Sequence, residues 1–269
     1  MKKFGAQYCV YEDSGFLEES VRRVYPLMDK IVFLVGLEPW KGQGDRSLPA
    51  ETLKLIAGLP DPDRKFSIIS KYWLTEAEQR NDGLAALHGL GCDWCLVVDD
   101  DEMFNRKELY AAKDIISREL RSSAFLLSQV IYWKNRDVAI EHPTLALPAF
   151  ASTAPGQIFF NEGRCYMVAN GAWTVFPPEV ILCHHFSYVR SEEKMRRKLA
   201  AFSHADQTKA DWMDRVWMKW APGMENLHPN PDAPQTFKRA VPAREVPWKL
   251  EPVPESLVYD PRQVVRSVL

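Results

Sequence analysis

Short apolar runs alternate with amphipathic segments through the first hundred residues of the chain. Four of these runs are rich in residues that favour strands, and they cover residues 4–11, 30–36, 65–70 and 94–99. Runs that are apolar on both faces are typical of strands in a parallel sheet that is covered on both sides. The pattern therefore predicts a buried, mostly parallel sheet.

Helical patterns fill the intervals between these runs. The first has Ser14 as its predicted N-cap, and the third opens with a capping box in which Thr75 precedes Glu78. Strand–helix alternation of this kind predicts an α/β fold with a Rossmann-like sheet and right-handed crossovers. The four predicted helices cover residues 14–26, 47–60, 75–91 and 106–120.

The alternation ends after about residue 122. Residues 124–135 and 157–176 are predicted to form longer strands in a small mixed or antiparallel part of the sheet. Residues 179–191 predict another strand, and Ser191 is a suitable start for a helix over residues 192–205.

The last part of the chain has a different composition. Prolines are dense from residue 221 onward, and hydrophobic periodicity is lost, which favours an extended tail. We therefore predict a main domain over residues 1–203, followed by a C-terminal helix and Pro-rich tail over residues 204–269.

Composition limits the classes of function. Hydrophobic residues make up 46% of the 269 residues, and the net charge of −2 is too small to attract nucleic acid through a global field. No apolar stretch reaches the roughly 20 residues of a transmembrane helix, and the first residues lack a signal-peptide pattern. We therefore expect a cytoplasmic protein that does not bind nucleic acid.

The five cysteines are expected to be reduced thiols, because their number is odd and no export signal is present. Cys92 and Cys95 form a C-x-x-C pair, which is a possible zinc or redox motif. However, no second pair accompanies it, and Cys95 lies inside an apolar run. We expect both cysteines to be packing residues.

Four consecutive acids, Asp99 to Glu102, directly follow the fourth predicted strand. Ligands of open α/β sheets bind outside the carboxyl ends of the strands, which is where these acids are predicted to lie. Asp99 and Asp101 are two positions apart and can address one hard cation such as Mg²⁺ or Mn²⁺, which would anchor a diphosphate. The alternative is a solvated acidic turn near the start of the next helix.

A second candidate constellation is "CHHF", residues 183–186. In a strand, His185 shares one face with Cys183, whereas His184 shares the apolar face. We therefore expect His184 to be a packed, hydrogen-bonded residue and His185 to be a metal or phosphate ligand. The basic residues that follow form either a solvated face or a phosphate-neutralising one, and they are Arg190, Lys194, Arg196, Arg197 and Lys198.

The stretch "RNDGLAALHGLGCDWCLVVDDDEMF", residues 80–104, resembles the segment that leads into the D-x-D motif of family 2 glycosyltransferases with the GT-A fold. "CHHFSYVRSEEKMRRKL", residues 183–199, resembles a later segment in which a histidine completes the metal site. The resemblance covers roughly residues 4–200 and is specific around the D-x-D. It implies a Rossmann-like GT-A fold.

The function that this resemblance implies is metal-dependent transfer of a sugar from a UDP- or GDP-sugar to a saccharide, lipid-linked or protein acceptor. It implies that Asp99, Asp101 and His185 hold a divalent metal, Mn²⁺ or Mg²⁺, and that Asp101 is catalytic. It also implies that Tyr11, Glu12, Arg80, Asp99 and Asp100 bind the nucleotide sugar. From the basic helix, Lys194 and Lys198 are added to this set, because they are four positions apart and can act together on a phosphate.

Two departures from the family pattern stand out. Many relatives end the second strand in an aspartate that helps to bind the nucleoside, where this chain has Gly36. Either Asp45 or Glu38 substitutes for it, or the loop recognises another base. No Glu-Asp pair marks the acceptor-activating base, which an inverting reaction needs within hydrogen-bonding distance. The candidates for that base are Glu141, Asp137 and Glu162, and inverting against retaining chemistry stays open.

Two other functions remain as alternatives. A sugar-phosphate nucleotidyltransferase would share the sheet and the metal, but it usually has a glycine-rich, basic loop after the first strand, where this chain is acidic. A non-catalytic carbohydrate- or metal-binding module would use aromatic residues, such as Trp133, Trp173 and Trp212, to stack on sugars.

The Trp-rich segment, residues 210–223, allows three interpretations. It is predicted to pack as an amphipathic helix against the core. The alternatives are peripheral contact with a membrane surface and closure over the acceptor.

Overall fold

A seven-stranded central sheet organises the protein in this computed structural model, which describes residues 2–40, 48–144, 147–160, 164, 166–167, 172–201, 207–230, 232 and 236–260. The spatial order of its strands is β12-β6-β9-β4-β1-β2-β3, and β9 runs antiparallel to both of its neighbours. The remaining described pairings are parallel, so the predicted α/β class with a mostly parallel sheet is confirmed. These strands are β1 (Phe4–Val10), β2 (Lys30–Gly36), β3 (Phe66–Lys71), β4 (Trp94–Asp99), β6 (Ser122–Leu127), β9 (Leu147–Ser152) and β12 (Ala172–Val175).

The central strands β1, β2 and β4 are buried on both faces, as their apolar runs predict. On one face Tyr8 stacks on Phe33, with ring centroids 5.5 Å apart, inside the largest hydrophobic cluster. On the other face Cys95 packs with Val32 and Val97 in a second cluster. Burial of both faces removes a large apolar area from water and holds the carboxyl ends of the strands in one row.

Five α-helices are described: α1 (Leu17–Val24), α2 (Leu48–Gly58), α3 (Glu76–Gly89), α4 (Arg106–Arg118) and α5 (Glu192–Ala201). The predicted cap at Thr75 is confirmed, since its hydroxyl accepts the N–H of Glu78 at 3.2 Å. The predicted cap at Ser14 is wrong, because α1 begins three residues later, with Phe16 as its N-cap. The N–H of Ser14 instead donates to Asp100 Oδ2 at 2.5 Å, which turns this backbone towards the end of β4.

A second sheet of five strands packs beside the first, in the order β14-β8-β7-β13-β5. The long strand predicted over residues 124–135 is wrong, because the chain divides at Ser128 into β6 of the central sheet and β7 of the second. The strand predicted over residues 157–176 is also wrong, since its described residues form only short strands. The additional strands are β5 (Glu102–Met103), β7 (Gln129–Trp133), β8 (Asn135–Ile140), β10 (Ile158–Phe159), β11 (Tyr166–Met167), β13 (Cys183–Tyr188) and β14 (Ala240–Pro242).

The Trp-rich segment packs into the protein core, as predicted. Its described structure includes a short π-helical turn, Met213–Trp217, and Trp212 is only 1% exposed. The indole N–H of Trp212 donates to the carbonyl of Leu227, and its ring meets Trp133 edge to face. No helix in the described part of the chain has the length and apolar character needed to cross a membrane.

The C-terminal tail runs along the main domain. β14 pairs with β8, and further along the chain Asn105 donates to the carbonyl of Lys249. Arg23 donates to the carbonyl of Glu251 at 2.7 Å. The described tail residues are therefore tied to α1 and α4, and the domain boundary at residue 203 stays a prediction.

The cysteines that the structure describes, Cys9, Cys92, Cys95 and Cys183, are all free and buried. Cys92 and Cys95 both belong to the second hydrophobic cluster, and burial raises the pKa of Cys92 to about 11. The C-x-x-C pair is therefore a packing feature, as predicted. Cys165 lies outside the described residues.

Candidate active site

A cavity of about 390 Å³ lies at the carboxyl ends of β1, β2 and β4. Its walls come from the residues just after these strands, from α3, and from β13 with α5. Open α/β sheets bind ligands at this position, because the loops that leave neighbouring strands diverge there and leave a crevice. The four acids predicted to stand at a strand end are therefore at the edge of a built cavity.

Many of the described residues that line this cavity have charged side chains. Among the residues that the structure describes, the lining has two more carboxyl groups than guanidinium and ammonium groups. An anionic ligand would therefore meet a net negative surface unless a cation accompanied it. The carboxyl groups are Glu12, Glu38, Glu76, Asp99, Asp100, Asp101 and Glu102, and the basic groups are Arg80, Arg164, Arg190, Arg197 and Lys198.

Asp101 is the most heavily paired of the acids. Its Oδ1 lies 3.0 Å from His185 Nε2, and its Oδ2 lies 2.6 Å from Arg190 Nη2 and 3.2 Å from Lys198 Nζ. Lys198 also donates to the hydroxyl of Ser187 at 2.6 Å. Burial acts to raise the pKa of Asp101, but Lys198 and His185 more than offset it and hold the pKa well below its usual range.

Asp99 faces a different set of partners. Its Oδ1 lies 3.0 Å from Arg80 Nη2, and its Oδ2 lies 2.7 Å from Arg164 Nη2. Arg164 also reaches Glu102 at 2.6 Å, and Arg80 reaches Glu76 at 2.8 Å. Burial acts to raise the pKa of Asp99, but Arg164 and Arg80 outweigh it, so that the carboxylate stays ionised.

Asp100, between these two acids, has no arginine or lysine among its hydrogen-bond partners in the described structure. It accepts the N–H of Ser14 at 2.5 Å. Burial raises the pKa of Asp100 to about 7, and the charge of Asp101 adds to the shift. Asp100 is therefore the least compensated of the three aspartates.

Most of the sequence-predicted residues line this one cavity, and so does Glu38. Glu12 is held there by Arg197, whose Nε lies 3.0 Å from Glu12 Oε1. The predicted residues that the cavity brings together are Tyr11, Glu12, Arg80, Asp99, Asp100, Asp101, His185 and Lys198.

Other candidates are not brought into the cavity. Lys194 does not line it, and its Nζ donates to the carbonyl of Asp13 at 2.9 Å. Glu141 also lies outside, where Arg239 Nε donates to it at 2.8 Å. Asp137, at an exposed position of β8, is likewise not part of the wall. Asp45 and Glu162 lie outside the described residues.

The two adjacent histidines face opposite sides of the second sheet, as strand alternation predicts. His184 is 1% exposed, and its Nδ1 lies 3.1 Å from the hydroxyl of Tyr132. Burial lowers the pKa of His184 to about 3, so the imidazole is neutral. His185 lines the cavity and bonds to Gln129 through Nδ1, which orients its Nε2 towards Asp101.

Sequence reasoning missed two residues that complete the site. Arg164 follows no strand or helix pattern, yet it joins Asp99 to Glu102. Gln129 at the start of β7 donates to Glu102 at 2.8 Å and also holds His185. The available signal was indirect, because four adjacent acids after a buried strand require counter-ions from elsewhere in the fold.

The donor chemistry of this cavity fits a divalent cation. Carboxylates and an imidazole are suitable ligands, and the excess of carboxyl groups leaves negative charge for a cation to neutralise. Asp101 and His185 already adjoin, whereas Asp99 is turned to Arg80 and Arg164. Among the described residues no three such groups are already arranged around one metal position.

Known proteins provide comparisons of fold. No protein-family model matches the chain, and no curated protein does. The crystal structure of S. aureus TarS 1-349 is similar over 78% of this chain and 69% of that one, with 15% identity and a TM-score of 0.46. Mannosyltransferase PcManGT from Pyrobaculum calidifontis, in complex with GDP-Man and Mn²⁺, is similar over 77% of this chain, with 12% identity and a TM-score of 0.49.

A further similar structure belongs to another class of enzyme. The 4-diphosphocytidyl-2C-methyl-D-erythritol synthase from Anaerococcus prevotii is similar over 73% of this chain and 94% of that one, with 12% identity and a TM-score of 0.41. The chain spans 65% of PcManGT, which is less than two thirds of its length. These similarities concern the fold and not the activity.

Proposed function

We propose that the protein is a GT-A glycosyltransferase that moves a sugar from a nucleotide-diphosphate sugar to a hydroxyl of a saccharide, lipid-linked or protein acceptor. The observation that supports this proposal is the cavity itself. It combines a cluster of acids at a strand end with arginine and lysine side chains that lie directly against them. A diphosphate needs both a cation and hydrogen-bond donors, and this wall offers ligands for the first and donors for the second.

Asp99, Asp101 and His185 would hold a divalent cation, Mn²⁺ or Mg²⁺. When bound, such a cation supplies neutralisation of the negative charge that develops on the departing nucleoside diphosphate. Gln129 would keep His185 oriented, since the second nitrogen of a ligating imidazole is usually hydrogen-bonded.

The chain's own residues would do the remaining work on the donor. Tyr11 and Glu12, which follow β1, are proposed to lie near the nucleoside, and Arg197 holds Glu12 in place. Arg190 and Lys198 are proposed to stabilise the diphosphate as the bond to the sugar breaks. Their guanidinium and ammonium groups are largely withdrawn from water, which strengthens each interaction with charge.

The first experiment is thermal unfolding with a panel of nucleoside diphosphates, including UDP and GDP, each with and without Mn²⁺. A ligand that binds the native state raises the melting temperature by mass action. We expect one nucleoside diphosphate to raise it strongly only in the presence of metal. If none does so under either condition, the cavity does not bind donors and the proposal is wrong.

Donor hydrolysis separates an enzyme from a binding module. A glycosyltransferase should release nucleoside diphosphate slowly from its donor in the presence of metal, and a binding module should not. Of the tryptophans considered for sugar stacking, Trp133 and Trp212 are buried in the core, so that interpretation is wrong for these two. Trp173 is 51% exposed and does not line the cavity.

A further inference from the structure

The charges of the cavity wall divide into two groups with opposite balance. Around Asp101 stand two cations, Arg190 and Lys198, for a single paired carboxylate. A second group, around Arg80 and Arg164, has three paired carboxylates for two cations, and its acids are Glu76, Asp99 and Glu102. Counted over ion-paired groups alone, cations outnumber carboxylates beside Asp101, whereas carboxylates outnumber cations around Arg80 and Arg164. Asp100, between the two groups, has no cationic hydrogen-bond partner among the described residues.

Arg190 and Lys198 each make a hydrogen bond to the protein besides the one to Asp101. Arg190 Nε donates to the carbonyl of Ser187 at 3.3 Å, and Lys198 Nζ donates to the hydroxyl of the same serine at 2.6 Å. Both cations would thus remain at the cavity wall if their carboxylate partner were taken away. A diphosphate carries more charge and more acceptor oxygens than one carboxylate, so it is a stronger partner for this pair.

We propose that Arg190 and Lys198 are exchangeable counter-ions. They neutralise Asp101 in the arrangement described above, and they transfer to the diphosphate when a nucleoside diphosphate enters, which leaves Asp101 to a divalent cation. This inference rests on the proposed function, and it adds which anion neutralises Arg190 and Lys198 before and after a diphosphate binds. It assigns the phosphates to Arg190 and Lys198, at the part of the wall formed by β13 and α5, rather than to Arg80 and Arg164.

One consequence separates this exchange from a fixed phosphate site. In a fixed site, removing the charge of Asp101 would weaken binding when metal is present, because a metal ligand is lost, and it would bring no gain when metal is absent. If the cations are exchangeable, Asp101→Asn leaves Arg190 and Lys198 without their anionic partner, so a diphosphate no longer has to compete with Asp101. The variant should therefore bind a diphosphate more tightly than wild type when no metal is present.

The test is calorimetric titration of inorganic diphosphate, and separately of a nucleoside diphosphate, in a buffer that contains EDTA. We expect Asp101→Asn to bind both about tenfold more tightly than wild type, because two charge-assisted hydrogen bonds become available. Asp99→Asn is the matched control and should show no gain, because Arg80 and Arg164 keep Glu76 and Glu102 as partners. Mn²⁺ should strengthen binding to wild type and not to Asp101→Asn.

An Asp101→Asn variant that binds no more tightly than wild type would overturn the exchange, and so would an equal gain in Asp99→Asn. These outcomes are distinct from failure of the proposed function, in which wild-type protein binds no nucleoside diphosphate even with Mn²⁺.

A second pair of variants covers the case in which Asp101→Asn does not fold. With Mn²⁺ present, Lys198→Gln should bind a nucleoside diphosphate about tenfold more weakly than wild type. Lys194→Gln, one turn earlier on α5, should bind it as wild type does, because Lys194 is bonded to Asp13 outside the cavity. Equal binding by both variants would contradict the assignment of the phosphates to Lys198.

Discussion

His185 Nε2 lies 3.0 Å from Asp101 Oδ1, which connects β13 to the turn after β4 across 84 positions of the chain. The next residue back, His184, is buried on the opposite face of the same strand against Tyr132. Two chemically identical neighbours thus have different environments, since successive side chains of a strand point to opposite faces. The pair is a built-in comparison between a site residue and a core residue.

Replacing each histidine by alanine should have opposite consequences. With a nucleoside diphosphate present, His185→Ala should raise the Mn²⁺ concentration needed for half-maximal stabilisation by at least about tenfold. It should leave the melting temperature of the free protein close to that of wild type. His184→Ala should cost about 1–3 kcal/mol of unfolding free energy and leave the Mn²⁺ response in place. Melting curves over a Mn²⁺ titration measure both effects, and the reverse ranking would show that the faces are wrongly assigned.

The central strands could be predicted from sequence because their signal is local. Residues 30–36 and 94–99 are largely apolar runs, each preceded by an aspartate, and the strands have the same limits in the structure. From these limits it follows that Asp99 stands at the end of a strand, which is where the cavity lies. The alternation of His184 and His185 was predictable for the same reason, since it needs only the strand and its direction.

Features that depend on tertiary pairing could not be predicted in this way. The division of residues 122–133 between two sheets at Ser128 depends on which strands each half meets, and both halves have the same apolar pattern. Arg164 has a φ of 62° in a turn and reaches two acids that lie about sixty positions earlier in the chain. No periodicity marks such a residue, so the counter-ions of the acids were visible only in the structure.

Arg164 should be essential for stability as well as for the site. Arg164→Met would leave Glu102 without a cationic partner in the described part of the chain and Asp99 with Arg80 alone, and breaking a buried ion pair in this way typically costs about 3–5 kcal/mol. Denaturant unfolding without metal measures the loss. Arg118→Met is the control, since Arg118 is 77% exposed and its pairing with Asp114 should contribute little. Equal stability of the two variants would mean that Arg164 is not the counter-ion described.

His228 should make the protein less stable in mild acid. Burial lowers the pKa of His228, and it outweighs the contact of Nδ1 with the carbonyl oxygen of Asn230 at 3.2 Å, which acts to raise that pKa. Below the ordinary histidine value of about 6.5, the unfolded chain takes up a proton that the folded protein does not. The stability that depends on this residue is therefore present above that pH and lost as the pH falls below it.

The measurement is the melting temperature of wild type and of His228→Gln between pH 8 and pH 5. The melting temperature of wild type should fall by more than that of the variant, so that the two curves of melting temperature against pH converge on acidification. His88→Gln, at an exposed position near the end of α3, should follow the wild-type profile. Parallel curves for wild type and His228→Gln would exclude this residue as a source of the acid sensitivity.

The Trp-rich segment supplies a last test, of whether it serves the core or a membrane surface. Trp212 contacts Trp133 and Tyr188 edge to face and is 1% exposed, so Trp212→Ala would leave a cavity in the cluster that joins this segment to the second sheet. The expected loss is about 3–5 kcal/mol of unfolding free energy, measured by denaturant unfolding. Trp173→Ala, at a site that is 51% exposed on β12, should change it by less than about 0.5 kcal/mol. If wild type sedimented with phospholipid vesicles and Trp212→Ala did not, while its stability stayed at the wild-type value, the segment would instead lie at a membrane.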